Sequence, residues 1–228
     1  PPVVIKLHTP SYVVQRYNFK SLKSNERVQN FMEKYAIMRA DYLTSPSRSM
    51  AEVVAADYEF SPQRVKVLLN PLDTDTFRPD ETLKPRDRIN ILFTGRIEKR
   101  KGVITLAHAI PMISAKVRNC EFVLVGEDTS SGKDRSFLRE ELKAYLLQNN
   151  CLGHVTFHDR KEKNDLLKFY QAFDIFTSPS LYENLGYVCL EAMACGKAVV
   201  VSATGGLKEI VAHEHTGLLV PPDQPRAL

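Results

Sequence analysis

No run of apolar residues in this sequence approaches the roughly 20 that a membrane-spanning helix requires. The longest candidates, such as Ala198 to Ala203, are strand-sized. No signal peptide is expected, because the opening PPVVIKLH has no basic segment ahead of a long apolar one. Cysteine is scarce: Cys120, Cys151, Cys189 and Cys195 form no CxxC pair and no zinc-ligand spacing. Cys189 and Cys195 fall in an apolar helical run, which suits buried thiols in a reducing compartment, so a cytoplasmic location is the expectation. HExxH is missing, and histidines such as His213 and His215 read as surface residues. GxGxxG is missing, which removes the main support for NAD. The nearest approach to a GxxxxGK[ST] loop, Gly126 to Asp134, has five intervening residues and an Asp after the Lys. The surplus of 31 basic over 27 acidic residues is only +4, too mild for a surface that meets a lattice of phosphates, and no nucleic-acid partner is expected.

What is present is the mix of a globular chain: 228 residues, 43% hydrophobic and 25% charged. That length bounds one to two domains. Val3 to Leu7 reads as a buried strand, followed by a polar stretch and a helix from about Asn25 to Arg39. Val28, Phe31, Met32, Tyr35 and Met38 share one face of that helix. A strand at Ala40 to Thr44, a helix over Arg48 to Ala56 and a strand at Arg64 to Leu69 follow. Residues 70–88 then hold three prolines and many charges, the composition of a linker. After it, strands at 89–94, 121–125, 154–158, 174–177, 197–201 and 217–220 alternate with helices at about 105–116, 134–148, 163–172, 186–194 and 207–212. Such alternation predicts an α/β fold with a doubly wound parallel sheet. Ligands of such sheets bind outside the carboxyl ends of the strands, so the chemistry is sought in the loops that follow them.

The first such loop is GRIEKRKG, residues 95–102. Gly95 permits a tight turn, and Arg96, Lys99, Arg100 and Lys101 put cations where a diphosphate would want them; a solvated basic loop explains the same residues equally well. In the second, SPSLYENLG, residues 178–186, a helix starting near Gly186 and stopping at Gly196 points its positive end to the same side. Glu183 and Glu191 flank that start with seven residues between them. If wholly helical, they would stand up to roughly 12 Å apart. That exceeds the roughly 5–9.5 Å of a glycosidase acid/base pair. The spacing better suits the two ends of one long ligand with an anionic middle, such as a nucleotide sugar. Gly205 and Gly206 serve either close ligand approach or, more commonly, only a turn. His8 also lies at a strand's carboxyl end, though a lone histidine is more often structural.

These segments, with TGGLKEIV and TGLLVPP further on and ADYLTSPSRSMAEVV…RVKVLLNPLDTDTFRP before them, resemble the retaining GT-B glycosyltransferases of family GT4, whose E-x7-E element corresponds to Glu183 and Glu191. The resemblance runs in order through nearly the whole chain. It implies two Rossmann-like units: 1–72 as a remnant of an acceptor-side domain, 73–88 as the linker, and 89–228 as a donor-binding domain lacking its last helices. It further implies transfer from a UDP-, GDP- or ADP-sugar to an acceptor (sugar, polyol or lipid-linked) with retention at the anomeric carbon, no metal and no cofactor. Arg96 and Lys101 would grip the diphosphate and Glu191 the ribose. Glu183 and the amides of Asn184, Leu185 and Gly186, with Gly95 shaping the loop, would face sugar and phosphate, and His8 would lie beside the sugar. A lipid acceptor would add a peripheral contact at the inner membrane face. The family often has Phe at Leu185, and glycine at Asp128 and near Asp159. An epimerase or phosphorylase of the same fold, and a non-catalytic nucleotide-sugar module, remain as alternatives, since fold alone does not decide chemistry.

Overall fold

The computed structural model describes residues 1–83 and 87–228; of the expected linker, residues 84–86 lie outside the described residues. The chain begins with three parallel strands in the order β1-β2-β3: β1 (Val4–Lys6), β2 (Tyr42–Ser45) and β3 (Val65–Val67). Between β1 and β2 run two helices, α1 (Ser11–Asn18) and α2 (Ser24–Arg39), and α3 (Arg48–Tyr58) joins β2 to β3. Ser47 caps α3 by accepting from the Met50 amide at 3.2 Å, satisfying one of the free donors of the first turn.

Three features depart from the sequence reading. β1, read as a buried strand, leaves Val3 and Val4 more than half exposed and buries Leu7 just beyond its end, because β1 is the edge strand of its small sheet. The polar stretch after β1 is a helix, α1, entered at Pro10 and tied to α2 by Glu33, which accepts from the Ser11 amide and hydroxyl at 2.8 Å each. It buries one aliphatic side chain, Val13, together with the polar Gln15 and Asn18, so no apolar periodicity announced it. The apolar stripe of α2 points away from the core: Val28, Phe31, Met32, Tyr35 and Met38 are all exposed. The helix is held instead by Ile37, by Glu33, and by Asn30, whose side-chain amide donates to Gln15 at 2.7 Å.

The larger unit is a six-stranded parallel sheet in the order β6-β5-β4-β7-β8-β9. Its strands are β4 (Ile89–Thr94), β5 (Cys120–Val125), β6 (Val155–His158), β7 (Ile175–Ser178), β8 (Ala198–Ser202) and β9 (Leu218–Val220). Its helices are α4 (Val103–Lys116), α5 (Leu138–Gln148), α6 (Lys163–Ala172), α7 (Tyr187–Ala194) and the short α8 (Leu207–Ile210). Because side chains alternate along a strand, Ile91, Phe93, Phe122 and Leu124 pack on one face with α4 and α5, while Leu92, Val123, Val125 and Phe176 pack on the other with α6 and α7. Burial on both faces explains the continuous apolar runs. None of the described helices is long and apolar enough to cross a membrane.

The segment after β3 is anchored to this second core. Asp73 accepts from the amides of Asp75 and Thr76 at 3.1 Å each, and the turn delivers Phe77, 2% exposed, edge-on to Tyr170 at 6.1 Å. Phe77→Ala should therefore cost about 3–5 kcal/mol with an unchanged denaturant slope. Urea unfolding checks this; a cost below about 1 kcal/mol would mean that Phe77 contributes little to that core.

Candidate functional site

The sheet order places the site. The chain leaves β4 toward β5 on one side and leaves β7 toward β8 on the other, so a crevice opens between the β4 and β7 loops. Those loops are the two basic and acidic segments singled out above, and they interlock. The Leu181 amide donates to the Arg100 carbonyl at 2.8 Å, and Arg100 Nη1 donates to the Tyr182 carbonyl at 3.0 Å. Gly102, at φ 70°, lets them approach: a Cβ there would lie 1.8 Å from the Pro179 carbonyl oxygen. Across this seam the Lys101 ammonium bonds the Glu183 carboxylate, both largely buried.

Burial alone would push the Glu183 carboxyl up, but the charges of Lys101 and Arg100, the Lys101 hydrogen bond and the Asn184 amide together hold it below the usual carboxylate range. Asn184 in turn accepts from Ser47 at 3.2 Å, across to the first unit, and Leu185 is 5% exposed. The Gly205–Gly206 turn supports this loop. The Gly206 amide donates to the Glu183 carbonyl at 2.9 Å, and a Cβ on Gly205 would lie 1.8 Å from that same oxygen. Gly186, at φ 87°, precedes α7 and meets Leu207.

Arg96 stands apart from the seam, half-exposed, with one guanidinium nitrogen 3.2 Å from Glu98. It lines an open cleft of about 360 Å³ together with Gly95, Glu127, Arg160, Lys161 and Val188. Arg160 and Lys161 are not among the residues expected from the sequence; their place in the loop that follows β6 is the signal that marks them. Glu191 lines a different cleft, of about 430 Å³, with Leu72, Asp73, Lys163 and Tyr187. A polar relay joins the two: Thr94 and the Tyr170 hydroxyl are 2.9 Å apart, and that hydroxyl donates to Glu191 at 2.8 Å. Burial pushes the Glu191 carboxyl up, against the opposing pull of Tyr170 and Lys163. His8 follows β1 with its ring exposed, while its neighbour Leu7 packs in the cluster that includes Tyr182. The two departures near the β5 and β6 ends prove to be linked. Asp128 caps α5 by accepting from the Leu138 and Arg139 amides at 3.1 and 3.2 Å, and the Arg139 side chain bonds Asp159 at 2.8 Å.

Residues 74–228 match the family described as glycosyl transferases group 1, and residues 1–76 match glycosyltransferase family 4. The chain belongs to the glycosyl transferases group 1 family. An uncharacterized glycosyltransferase of Methanocaldococcus jannaschii is 32% identical over 210 residues, covering 86% of this chain and 51% of the relative. The sucrose-phosphate synthase of Thermosynechococcus elongatus superposes with a TM-score of 0.80 at 28% identity, covering 98% of this chain and 56% of that one. Anabaena HepE, solved with UDP and glucose, superposes at 0.81 and 21% identity, covering 99% and 59%. The architecture is thus the GT-B fold of this group-1 family, and the chain spans about half the length of the curated relatives it matches. All four cysteines are buried and free.

Removing Lys101 strands a buried carboxylate, so Lys101→Met should cost about 3 kcal/mol, and adding Glu183→Gln should restore most of it. The folded carboxyl is held low, so the pair's contribution is present above the ordinary carboxylate range and is lost as pH falls through the depressed value. The gap between wild type and Lys101→Met should therefore narrow on acidification. Urea melts at neutral and acid pH read this; equal stabilities at neutral pH would contradict the pairing.

Proposed function

We propose that this chain carries the donor site of a retaining, metal-independent glycosyltransferase that moves a sugar from a nucleoside diphosphate sugar to an acceptor. The observation that carries the reading is the Lys101–Glu183 seam at the switch point of a group-1 glycosyl transferase fold, beside the positive end of α7. Anabaena HepE was solved with UDP and with UDP-glucose, which supports a nucleotide sugar as the donor class. UDP, GDP and ADP remain the nucleotides to test, and the free buried thiols favour a cytoplasmic setting.

Breaking the sugar–phosphate bond develops an oxocarbenium-like cation and a diphosphate anion. Arg96, half-exposed and with only one edge engaged, supplies a fork of donors to that anion. Lys101 has three donors and spends one on Glu183, leaving others for the leaving phosphate. The first-turn amides of α7 and its dipole add fixed positive charge where the anion grows. Side-chain cations and a helix end thus neutralise the leaving group without calling on a metal. In this scheme the ligand reaches from the Arg96 cleft into the neighbouring one, where Glu191 would accept from ribose hydroxyls, and exposed His8 on the first unit would face the sugar.

Retention follows from departure and attack on the same face, with the leaving phosphate taking the acceptor's proton. Glu183 is engaged by Lys101 and acts as an electrostatic anchor in this scheme, not as a nucleophile. Glu183→Gln in the complete enzyme should slow turnover without abolishing it, and no glycosylated protein should accumulate; complete loss of turnover together with a trapped adduct in the wild type would make Glu183 the nucleophile.

Calorimetric titration with UDP, GDP and ADP tests the donor site. One should bind, and Arg96→Ala should weaken it by about 1.5–3 kcal/mol, roughly 10- to 150-fold. Failure of all three with folded protein would end the reading. Product analysis with a labelled nucleotide sugar should give a glycosylated acceptor with the donor's anomeric configuration; an isomer or a free sugar phosphate would mark an epimerase or phosphorylase.

A further inference from the structure

Glu98 is a buried carboxylate, 1% exposed, that the proposed chemistry does not use. One of its oxygens accepts from Arg100 Nη2 at 2.7 Å and lies 3.2 Å from Arg96 Nη2 as an ion pair. The other accepts from the Asn18 side-chain amide at 3.0 Å. Asn18 is the last residue of α1, on the first unit, and is itself buried. Its side-chain oxygen accepts from the Arg100 amide at 2.9 Å, so Asn18 bonds the basic loop twice. These partners are 80 and 82 residues apart in sequence.

The geometry points to Asn18 and Glu98 as positioning residues that make the Arg96 grip on a diphosphate depend on the first unit being seated against the basic loop. The inference rests on the donor-site reading above. The charge balance supports it. Glu98 offsets one of the two guanidiniums, leaving a net positive charge, and Arg100 is only 3% exposed whereas Arg96 is half-exposed. Of the two guanidiniums that Glu98 pairs, Arg96 is therefore the one exposed enough to reach a ligand. Asn18 is neutral and orients that carboxylate without altering the charge at the site. When the units separate, Glu98 loses the hydrogen bond that fixes its second oxygen, and its carboxylate, then held by Arg100 alone, can pivot about that contact and shift its pairing with Arg96. Domain seating and anion grip become one event, transmitted through a carboxylate that does not touch the ligand.

The test is a double-mutant cycle on the full chain, read as the Kd for whichever of UDP, GDP and ADP binds the wild type. Asn18→Ala should weaken binding about three- to tenfold. In an Arg96→Ala background the same change should move Kd less than about twofold, because Asn18 acts through Arg96. A merely structural role would weaken both backgrounds alike. Additive effects, or an Asn18→Ala protein that binds as wild type while Arg96→Ala weakens binding, would overturn the inference and leave the donor site standing. No binding by folded wild type would fell the donor-site reading and this inference with it. If Asn18→Ala unfolds, Asn18→Ser and Asn18→Asp provide the same cycle. Serine keeps a small donor and should recover part of the affinity; aspartate sets a carboxylate against Glu98 and should bind more weakly than alanine. Serine and aspartate variants of equal affinity would also count against it.

Discussion

Two strand-end loops are locked together at the middle of the larger sheet, and the geometry of the site depends on that lock. The loop after β4 contributes cations, and the loop after β7 contributes carbonyls and a carboxylate. Neither set is stable where it sits without the other. A buried ammonium or carboxylate left alone costs several kcal/mol, so each stabilises the other only while the loops stay in contact. Gly102 makes the contact sterically open, since any side chain there would collide with Pro179. The same seam brings the start of α7 up to the crevice, next to the Lys101–Glu183 pair.

The contacts between the two units grow outward from this seam. Tyr182 packs in the core of the first unit and stacks on Tyr17 at 5.8 Å. Glu209 accepts from the amides of Arg48 and Ser49 at 3.0 and 2.7 Å, lending a carboxylate from one unit to the start of α3 on the other. Arg135 holds Glu26 with both guanidinium nitrogens at 2.8 and 3.0 Å, depressing that carboxyl to about 2. Asn18 and Glu98 lie within this set, closest to the cations. The interface is thus polar and charged at several points and apolar at one, which suits units that separate and re-seat.

The larger sheet was legible because its central strands are buried on both faces and read as short apolar runs; β4 and β5 begin within a residue of their expected starts. The chemistry-bearing loops followed from the rule that ligands lie beyond the strand ends. What was not legible is what depends on contacts distant in sequence. α1 buries polar side chains, and their partners lie on α2 and on the basic loop. The α2 stripe had the right spacing for a core face, yet periodicity does not say which way a helix faces, and hydrogen bonds to its other side decided. Glu191 was grouped with Arg96, whereas it opens on a neighbouring cleft and is joined to the first through Tyr170, 21 residues away in sequence. Arg160 and Lys161 were obscured because their loop carries no glycine signature, and Asp128 and Asp159 became interpretable only through Arg139.

The most direct measurement is a crystal structure of this chain with a nucleoside diphosphate. The account predicts phosphate oxygens within hydrogen-bond distance of the Arg96 guanidinium and the Lys101 ammonium, with the first-turn amides of α7 facing them and Glu183 still held by Lys101. Phosphates bound on another face of the sheet, or a Lys101 that abandons Glu183 to solvent without engaging the ligand, would contradict it.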